Sequence, residues 1–368
     1  MMNRKQTRGV ALIMALSVML LLSVALMKTF ENRSVETVHL ANTLHQFQSE
    51  TVSRSVLRAV LLTIQSKGLL FVLRNKEQWQ DVPIFLNEGQ YFRIKSIRSI
   101  DHLFNLNRRF RADDPSLDLF RNIVNQKLND DDRLWETNEK TTDDITSILG
   151  AINDWIDADD LPDTEFLYNY EAYYDLSPEY RVKNRAFDFL SEVNLIPPFQ
   201  ETGFTAQELR DSFRIYAIEK DSNKLSIDIN VCSVEEAASF LELLVDIPEY
   251  ANLYDYRGTI VDILEERDAE LEGEGKGPGS LEPGPRFMPL YDRKNSDWEQ
   301  RLTSAAIKLN ESEKALFSDR THLLHIKLSV TTQRVTVPAQ AIVEVEYISE
   351  NRLDIKGFKI LEFDMQAL

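Results

Sequence analysis

RGVALIMALSVMLLLSVALMK, residues 8–28, is the stretch of this chain that decides its fold class. Residues 10–27 carry no charge, and the short segment before them is basic, with Arg4, Lys5 and Arg8. About eighteen apolar residues lie at the short end of what crosses a bilayer as a helix. Because the basic residues come first, the positive-inside rule predicts a cytoplasmic N-terminus and places the bulk of the chain across the membrane.

Three interpretations of this segment compete. A secretory signal peptide needs a small-residue cleavage site after its apolar core, but this core runs into Leu26, Met27 and Lys28. A plain membrane anchor explains the length and the basic flank, but not the lone Gly9 at the border. A class III, prepilin-type signal explains the length, the basic flank and Gly9, since its cleavage falls after Gly9 and leaves a mature chain that begins at Val10. We favour this third interpretation.

The residues that follow the apolar segment predict that its helix continues without a break. From Lys28 to Ser66 there is no Gly and no Pro, and Gly68 provides a stop. Apolar residues recur at helical spacing at Val35, Val38, Val52, Val56, Leu57, Val60, Leu61 and Ile64. One helix over residues 10–66 would be roughly 85 Å long, which is typical of the spine of a pilin-like subunit. An anchor followed by a separate stalk helix predicts the same pattern.

Composition limits the classes of function. The 368 residues leave about 300 after the anchor, which is enough for two domains of ordinary size. A formal net charge of −18 argues against binding nucleic acid, because the phosphates would be repelled. Cys232 is the one cysteine, and the five histidines show no metal-ligand spacing. The chain has no nucleophile, zinc-protease or nucleotide-binding motif, so the sequence predicts a protein that is not an enzyme.

The pattern after the long helix predicts an α+β protein in which a large helical domain interrupts a pilin-like α/β domain. Residues 90–100 alternate like a half-buried strand, and Leu323–Val330, Val335–Ile348 and Leu353–Phe363 predict three antiparallel strands. The predicted boundaries are a leader over 1–9, a helix over 10–66 that spans the membrane over 10–27, an α/β domain over 67–104 and 286–368, a helical insertion over 105–267, and a Gly/Pro-rich loop over 268–285.

Two segments of the predicted insertion resemble each other. IDHLFNLNRRF (100–110) and LSIDINVCSVE (225–235) each place an apolar–Asn–apolar tripeptide after an acidic residue and before a helix. Asn105, Asn107 and Asn230 suit turns and helix caps, because their short amides bond to nearby backbone. The repetition predicts two similar helical lobes, although chance similarity over so few residues remains an alternative.

An acidic stretch inside the insertion is a candidate metal site. Residues 130–165 are densely acidic, with only Arg133 and Lys140 opposing them, and they include DWIDADDLPDTE at 154–165. Closely spaced carboxylates in a loop suit Ca²⁺, which takes six to eight oxygen ligands and tolerates irregular geometry. The pattern is not that of an EF-hand. A solvated acidic face is the alternative, although a bound cation would relieve the repulsion among so many carboxylates.

Taken in order, these motifs resemble the general secretion protein K family, the large minor pseudopilins of type II secretion systems. The resemblance rests on the leader RGVALIMAL and on six later segments: FNLN (104–107), INDWIDADDLPD (152–163), EAYY (171–174), PEYRVKN (178–184), LSEVNLI (190–196) and SIDINVCS (226–233). Two departures are the Cys232–Ser233 pair, where the family usually has Thr-Ala, and the altered spacer TEFLYNYEAYY (164–174).

The resemblance implies specific roles. It implies a calcium site with Asp157, Asp159, Asp160 and Glu171 as ligands, Glu165 being the substitute for Glu171. It also implies cleavage and N-terminal methylation by a prepilin peptidase. The implied location is the bacterial inner membrane, with the bulk of the chain in the periplasm. The implied partners are two smaller minor pseudopilins in a tip complex, the major pseudopilin and the inner-membrane secretion platform.

Met14 would be the fifth residue of the mature chain, where most pilins carry a glutamate that neutralises a neighbour's N-terminus. A subunit without that carboxylate avoids an unpaired buried charge, which suits a position at the fibre tip. An apolar residue at this position is also expected simply because the segment would lie in lipid. Two other functions therefore remain open: a minor pilin that primes or tips a type IV pilus, and a membrane-anchored periplasmic calcium-binding or adhesion protein outside any fibre.

Overall fold

A computed structural model describes the chain over eleven ranges, which are 4–87, 89–111, 116–130, 142–158, 183–217, 225–244, 247–274, 297–318, 320–332, 335–349 and 352–365. Every structural statement below refers to these residues.

The first element is a single long helix, α1, over Arg4–Lys67. It ends where the sequence predicts, because Gly68 adopts a φ of 87°, a left-handed conformation that glycine tolerates and most residues avoid. The Gly68 amide still donates to the Ile64 carbonyl at 2.8 Å, which closes the last turn. Two short helices follow, α2 over Leu69–Arg74 and α3 over Lys76–Trp79.

A five-stranded antiparallel sheet forms the second layer. Its strands are β1 (Ile84–Asn87), β2 (Gln90–Ser99), β7 (Leu323–Thr332), β8 (Val335–Ser349) and β9 (Arg352–Met365), in the order β1-β2-β7-β8-β9. The predicted C-terminal strands and the predicted strand after the long helix are confirmed. The C-terminal part of α1 packs on one face of this sheet through Val56, Leu57, Val60, Leu61 and Ile64, all of which are buried.

The chain leaves the sheet after β2 and builds two helical lobes before it returns at β7. The first lobe contains β3 (Phe104–Asn105), α4 (Ser116–Asp130), α5 (Thr142–Ile156), a 3-10 helix (Leu190–Leu195), α6 (Pro197–Gln200), α7 (Ala206–Ser212) and β4 (Phe213–Arg214). The second contains β5 (Ile227–Asp228), α8 (Val234–Leu243), a 3-10 helix (Pro248–Tyr250), α9 (Ala251–Glu274), α10 (Asp297–Ser304), α11 (Glu311–Ala315) and β6 (Phe317–Ser318).

Each lobe is closed by a short parallel pair of strands. The first strand of the lobe pairs with the last, so that Phe104 lies opposite Phe213 and Ile227 lies opposite Phe317. The two sequence segments that resemble each other therefore occupy equivalent places, at the start of each lobe. One continuous apolar core runs through both lobes.

The packing extends the helical part further along the chain than the sequence predicts. Trp298, Leu302, Ile307 and Phe317 are buried in the core of the helical lobes, although the predicted boundary assigned residues from 286 onward to the α/β domain. Residues 268–274, predicted as the start of a loop, form the last turns of α9. The rest of the predicted Gly/Pro-rich loop lies outside the described residues.

The predicted membrane segment lies inside α1. Of residues 10–27 the structure describes side chains at Met19, Ser23 and Met27, and all three are exposed. Over the residues whose placement is described, none of the helices combines the length and the apolar character needed to cross a membrane.

Candidate functional site

The middle of α1 carries an apolar stripe that is exposed to solvent. Leu40, Leu44 and Phe47 are 72%, 54% and 67% exposed, and their i, i+4, i+7 spacing puts them on one helix face. At about 100° per residue this face is rotated by roughly 115° about the helix axis from the face that Leu57 and Ile64 bury against the sheet. An exposed apolar stripe of this kind marks a surface that other helices or lipid can cover.

The residues predicted for processing and assembly fall near the start of the same helix. The backbone of Gly9, Val10 and Met14 is helical, and the side chains of Val10 and Met14 lie outside the described residues. Cleavage after Gly9 and the role of Met14 therefore stay predictions.

Asp101 holds the point where the chain leaves the sheet. Its carboxylate is fully buried and accepts backbone N–H bonds from His322 at 2.6 Å and Leu323 at 2.7 Å. The His322 ring lies 3.2 Å from the same carboxylate through Nδ1. A buried carboxylate is tolerated only when such bonds replace its hydration. Asp101 thereby joins the exit from β2 to the entry of β7.

Asp228 makes the equivalent connection at the start of the second lobe. Its Oδ1 accepts from the Asn230 amide at 3.0 Å, and its Oδ2 accepts from the Thr321 hydroxyl at 2.9 Å. Buried Arg267 of α9 stabilises the turn that follows, because it donates to the carbonyls of Ile229 and Cys232. Burial raises the pKa of the Cys232 thiol to about 12, so this cysteine is inert.

The FNLN motif is a structural connector. Asn107 donates to the carbonyls of Phe187 and Ile215 at 2.9 and 2.8 Å, and its own side-chain oxygen accepts from the Phe187 amide at 2.6 Å. Asn105 accepts from the Asn107 amide at 3.0 Å, which sets the turn. The motif thus ties three distant parts of the first lobe together.

The residues on the two sides of segment 159–182, which carries most of the predicted calcium ligands, are fixed next to each other. Asn153 exchanges two hydrogen bonds with the backbone of Phe110, at 2.8 and 3.0 Å. The Trp155 ring stacks on Phe187 with centroids 6.1 Å apart, and the Arg185 amide donates to the Trp155 carbonyl at 3.1 Å. Trp155 before this segment therefore lies against Arg185 and Phe187 after it.

Of the predicted calcium ligands, only Asp157 lies among the described residues. It follows α5 directly, and its amide donates to the Asn153 carbonyl at 2.9 Å. Asp159, Asp160 and Glu171, and the substitute Glu165, lie outside the described residues. In the part of the chain that the structure describes, no three His, Cys, Asp or Glu side chains are grouped to hold a metal ion.

The sequence did not single out Asp101 or Asp228 as junction residues. Each belongs to one of the two resembling segments, so the repetition was the available signal. It could not reveal the partners, because His322 and Thr321 lie more than ninety residues away along the chain.

A buried histidine lies on the sheet face opposite to α1. Burial, together with the positive charges of Arg98, Lys327 and Arg210, lowers the pKa of His325 to about 4. A neutral imidazole accordingly occupies this position, next to Gln340 at 3.3 Å.

We expect His325 to make the fold sensitive to acid. Its pKa is lower in the folded chain than the ordinary value near 6.5, so the unfolded state takes up the extra proton and stability falls as the pH drops from 6.5 towards 4. Between pH 7 and pH 5 the loss from this residue is about 2 kcal/mol. Urea unfolding at both pH values measures the effect. The His325→Gln variant should lose about 2 kcal/mol less than the unmodified chain over this interval. Equal losses in the two chains would contradict the assignment.

The described geometry defines an α+β protein in which one long helix packs on an antiparallel sheet and extends beyond it. No family model matches the chain, and no curated protein matches it. Its structure is similar to a chain in the crystal structure of the GspK-GspI-GspJ complex from the type 2 secretion system of enterotoxigenic Escherichia coli. The match covers 88% of this chain and 99% of that chain, with 14% sequence identity and a TM-score of 0.47. At this identity and score the likeness concerns the fold alone.

Proposed function

We propose that this chain is a non-enzymatic minor pseudopilin at the tip of a type II secretion pseudopilus, where it promotes fibre assembly and protein export. The observation that carries the proposal is α1. The C-terminal part of this 64-residue helix packs on the sheet, and its middle presents an apolar stripe with no partner among the described residues. Such a helix fits assembly with the helices of neighbouring subunits. The ordered motifs that resemble the general secretion protein K family support the same function.

The proposed mechanism is mechanical. A prepilin peptidase would remove residues 1–9 and methylate Val10, and residues 10–27 would hold the chain in the inner membrane until assembly. Packing along α1 would then join it to two smaller minor pseudopilins and prime the fibre of major pseudopilin on the secretion platform. The two helical lobes would obstruct addition of a subunit above this one, and Met14 in place of a glutamate suits a subunit with no neighbour there.

Single-cysteine cross-linking tests the assembly surface directly. The natural Cys232 is buried with a raised pKa, so an added cysteine is the reactive one. We expect Leu44→Cys, on the apolar stripe, to cross-link in cells to proteins of pseudopilin size at least tenfold more than His39→Cys, which is exposed on a different face of α1. Mass spectrometry of the products identifies the partners. Equal cross-linking at both positions would contradict assembly through this stripe, and partners from a pilus instead of a secretion system would favour the type IV pilus alternative.

We also propose that the acidic segment binds Ca²⁺ through Asp157, Asp159, Asp160 and Glu171. Carboxylate oxygens are the ligands that this hard cation prefers. The support is that Trp155 contacts both Arg185 and Phe187 and so holds together the two sides of the segment that carries the predicted ligands, which lowers the entropy lost when a cation orders the ligands between them.

Calcium should stabilise the folded chain. A ligand that binds only the native state at one hundred times its Kd adds about 2.7 kcal/mol, which corresponds to several degrees in Tm. Thermal melts of the full chain with EDTA and with added Ca²⁺ measure this shift. The double variant Asp159→Asn, Asp160→Asn should lose it, and Asp118→Asn, on the surface of α4, should keep it. A Tm that is the same with EDTA and with Ca²⁺ would contradict the metal site.

A further inference from the structure

The sheet face opposite to α1 carries ordered rows of side chains. In the strand register Arg98, His325, Ile342 and Glu362 lie side by side across β2, β7, β8 and β9. Residues directly opposite each other in antiparallel strands point to the same face. A second row next to it includes Gln340 and Asp364.

The first helical lobe spans this face and is attached at both sides. On β2, Arg98 forms an ion pair with Asp211 of α7 at 2.6 Å. On β9, Glu362 accepts a hydrogen bond from the Tyr216 hydroxyl at 2.6 Å. A cavity of about 270 Å³ remains between these two attachments, with His325, Ile342 and Glu362 in its floor.

The chemistry of the cavity favours an apolar guest. Its polar floor groups are already paired, since Gln340 lies 3.3 Å from both His325 and Asp364. Its other wall is formed by Leu190, Leu209 and Phe213, together with Arg210 and with Arg214, whose guanidinium already donates to two backbone carbonyls. Pockets for drug-sized ligands usually exceed about 300 Å³, so this one fits a single large side chain better than a cofactor.

The cavity adjoins an open strand edge. β9 is the last strand of the sheet, and among the described residues no strand pairs with its outer side. Residues 362–365 of β9 pair in a regular register with Ala339–Ile342 of β8. Glu362, Phe363 and Asp364 also line the cavity. An unpaired edge presents backbone N–H and C=O groups to an added strand, and pockets beside such an edge select its side chains.

An aromatic residue at the rim narrows the class of guest. Phe189 lines the cavity and is 59% exposed. Aromatic rings prefer offset or edge-to-face contact with other rings. Phe213 on the inner wall offers a second ring, so an aromatic side chain of a guest would contact Phe189 at the rim and Phe213 further in.

We propose that β9 and this cavity form a docking site for an extended segment of a partner protein, which adds as a strand to the edge of β9 and inserts an aromatic side chain into the cavity. The partner's backbone satisfies the open edge, and its aromatic ring fills the apolar space. Basic residues flanking that ring would suit Glu362 and Asp364, the acidic residues of β9 that line the cavity. The proposal does not depend on the role of the chain in a pseudopilus.

Fluorescence anisotropy with a defined probe tests the site. The probe is a fluorescein-labelled heptapeptide, Lys-Ser-Val-Phe-Val-Ser-Lys, added to the full chain in phosphatidylcholine nanodiscs, with empty nanodiscs as the blank. We expect saturable binding that falls at least tenfold when the central Phe of the peptide is Ala. Methylation of the backbone nitrogens on one edge of the peptide should weaken binding by a similar factor, because strand addition needs those donors.

Variants of the chain separate this site from other surfaces. Ala206→Trp, which fills the cavity from α7, and Phe189→Ala should each weaken binding of the probe at least tenfold. Leu195→Ala is the matched control, because Leu195 is equally exposed at 59% and ends the 3-10 helix that Phe189 precedes, but does not line the cavity. Absence of saturable binding would overturn the proposal, as would equal binding of the Ala peptide or the methylated peptide. An effect of Leu195→Ala as large as that of Phe189→Ala would overturn it as well.

Discussion

Replacing Gly9 with leucine is expected to leave residues 1–9 attached and to reduce export through the secretion system to the level of a strain that lacks the chain. A bulky residue at the cleavage position blocks entry of the backbone into the peptidase. The retained leader then keeps Arg4, Lys5 and Arg8 at the start of the helix. Moving those charges out of the cytoplasm into a packed fibre is costly, so the helix stays in the membrane.

Peptide mass mapping of the membrane fraction measures the processing, and substrate in the medium measures export. The unmodified chain should begin at Val10, and Met14→Leu should be processed and should support export normally. A mature N-terminus elsewhere, or full export by Gly9→Leu, would remove the prepilin interpretation and leave the plain anchor.

Replacing Asp101 with alanine is expected to destabilise the fold by about 4 kcal/mol. The change leaves the half-buried amide of His322 and the buried amide of Leu323 without their acceptor, and each buried donor without a partner costs about 1–3 kcal/mol. This is a large share of the 5–15 kcal/mol that stabilises most domains.

Urea unfolding of the full chain, followed by tryptophan fluorescence, measures this loss. The matched control is Asp118→Ala, which removes a half-exposed ion pair with Arg121 on α4 and should cost less than about 1 kcal/mol. Hydrogen exchange at the Leu323 amide should accelerate in Asp101→Ala alone. Similar losses in both variants would show that Asp101 does not hold the junction.

The elements that the sequence predicted are those with local signals. Gly68 ends α1 because glycine accepts a φ of 87°, and that preference belongs to the residue itself. The alternation in β2 and β8 likewise reflects one more deeply buried face, whereas β7, in the middle of the sheet, is buried over nearly its whole length. The resembling segments at 100–110 and 225–235 predicted two lobes for a similar reason, since their Asx turns form within a few residues.

The candidate sites likewise divide into those that have a local signal in the sequence and those that have none. Gly9, Val10, Met14 and the acidic loop were inferred from sequence, and their roles stay predictions. The docking surface beside His325 had no sequence signal, because its cavity is formed by a helical lobe and a sheet that meet only in the folded chain. Phe189 and Glu362 are far apart in the sequence, and nothing in either neighbourhood indicates the other.

The sequence by itself determined the long helix, its apolar first third and the antiparallel strands, because side-chain periodicity and glycine conformation act over a few residues. Only the tertiary structure assigned residues 297–318 to the helical lobes, paired Phe104 with Phe213 and Ile227 with Phe317, and placed Asp101 at the junction. Those contacts join residues about ninety or more apart along the chain. Their partners are selected by burial and hydrogen bonding in the assembled core, which no local pattern of the sequence encodes.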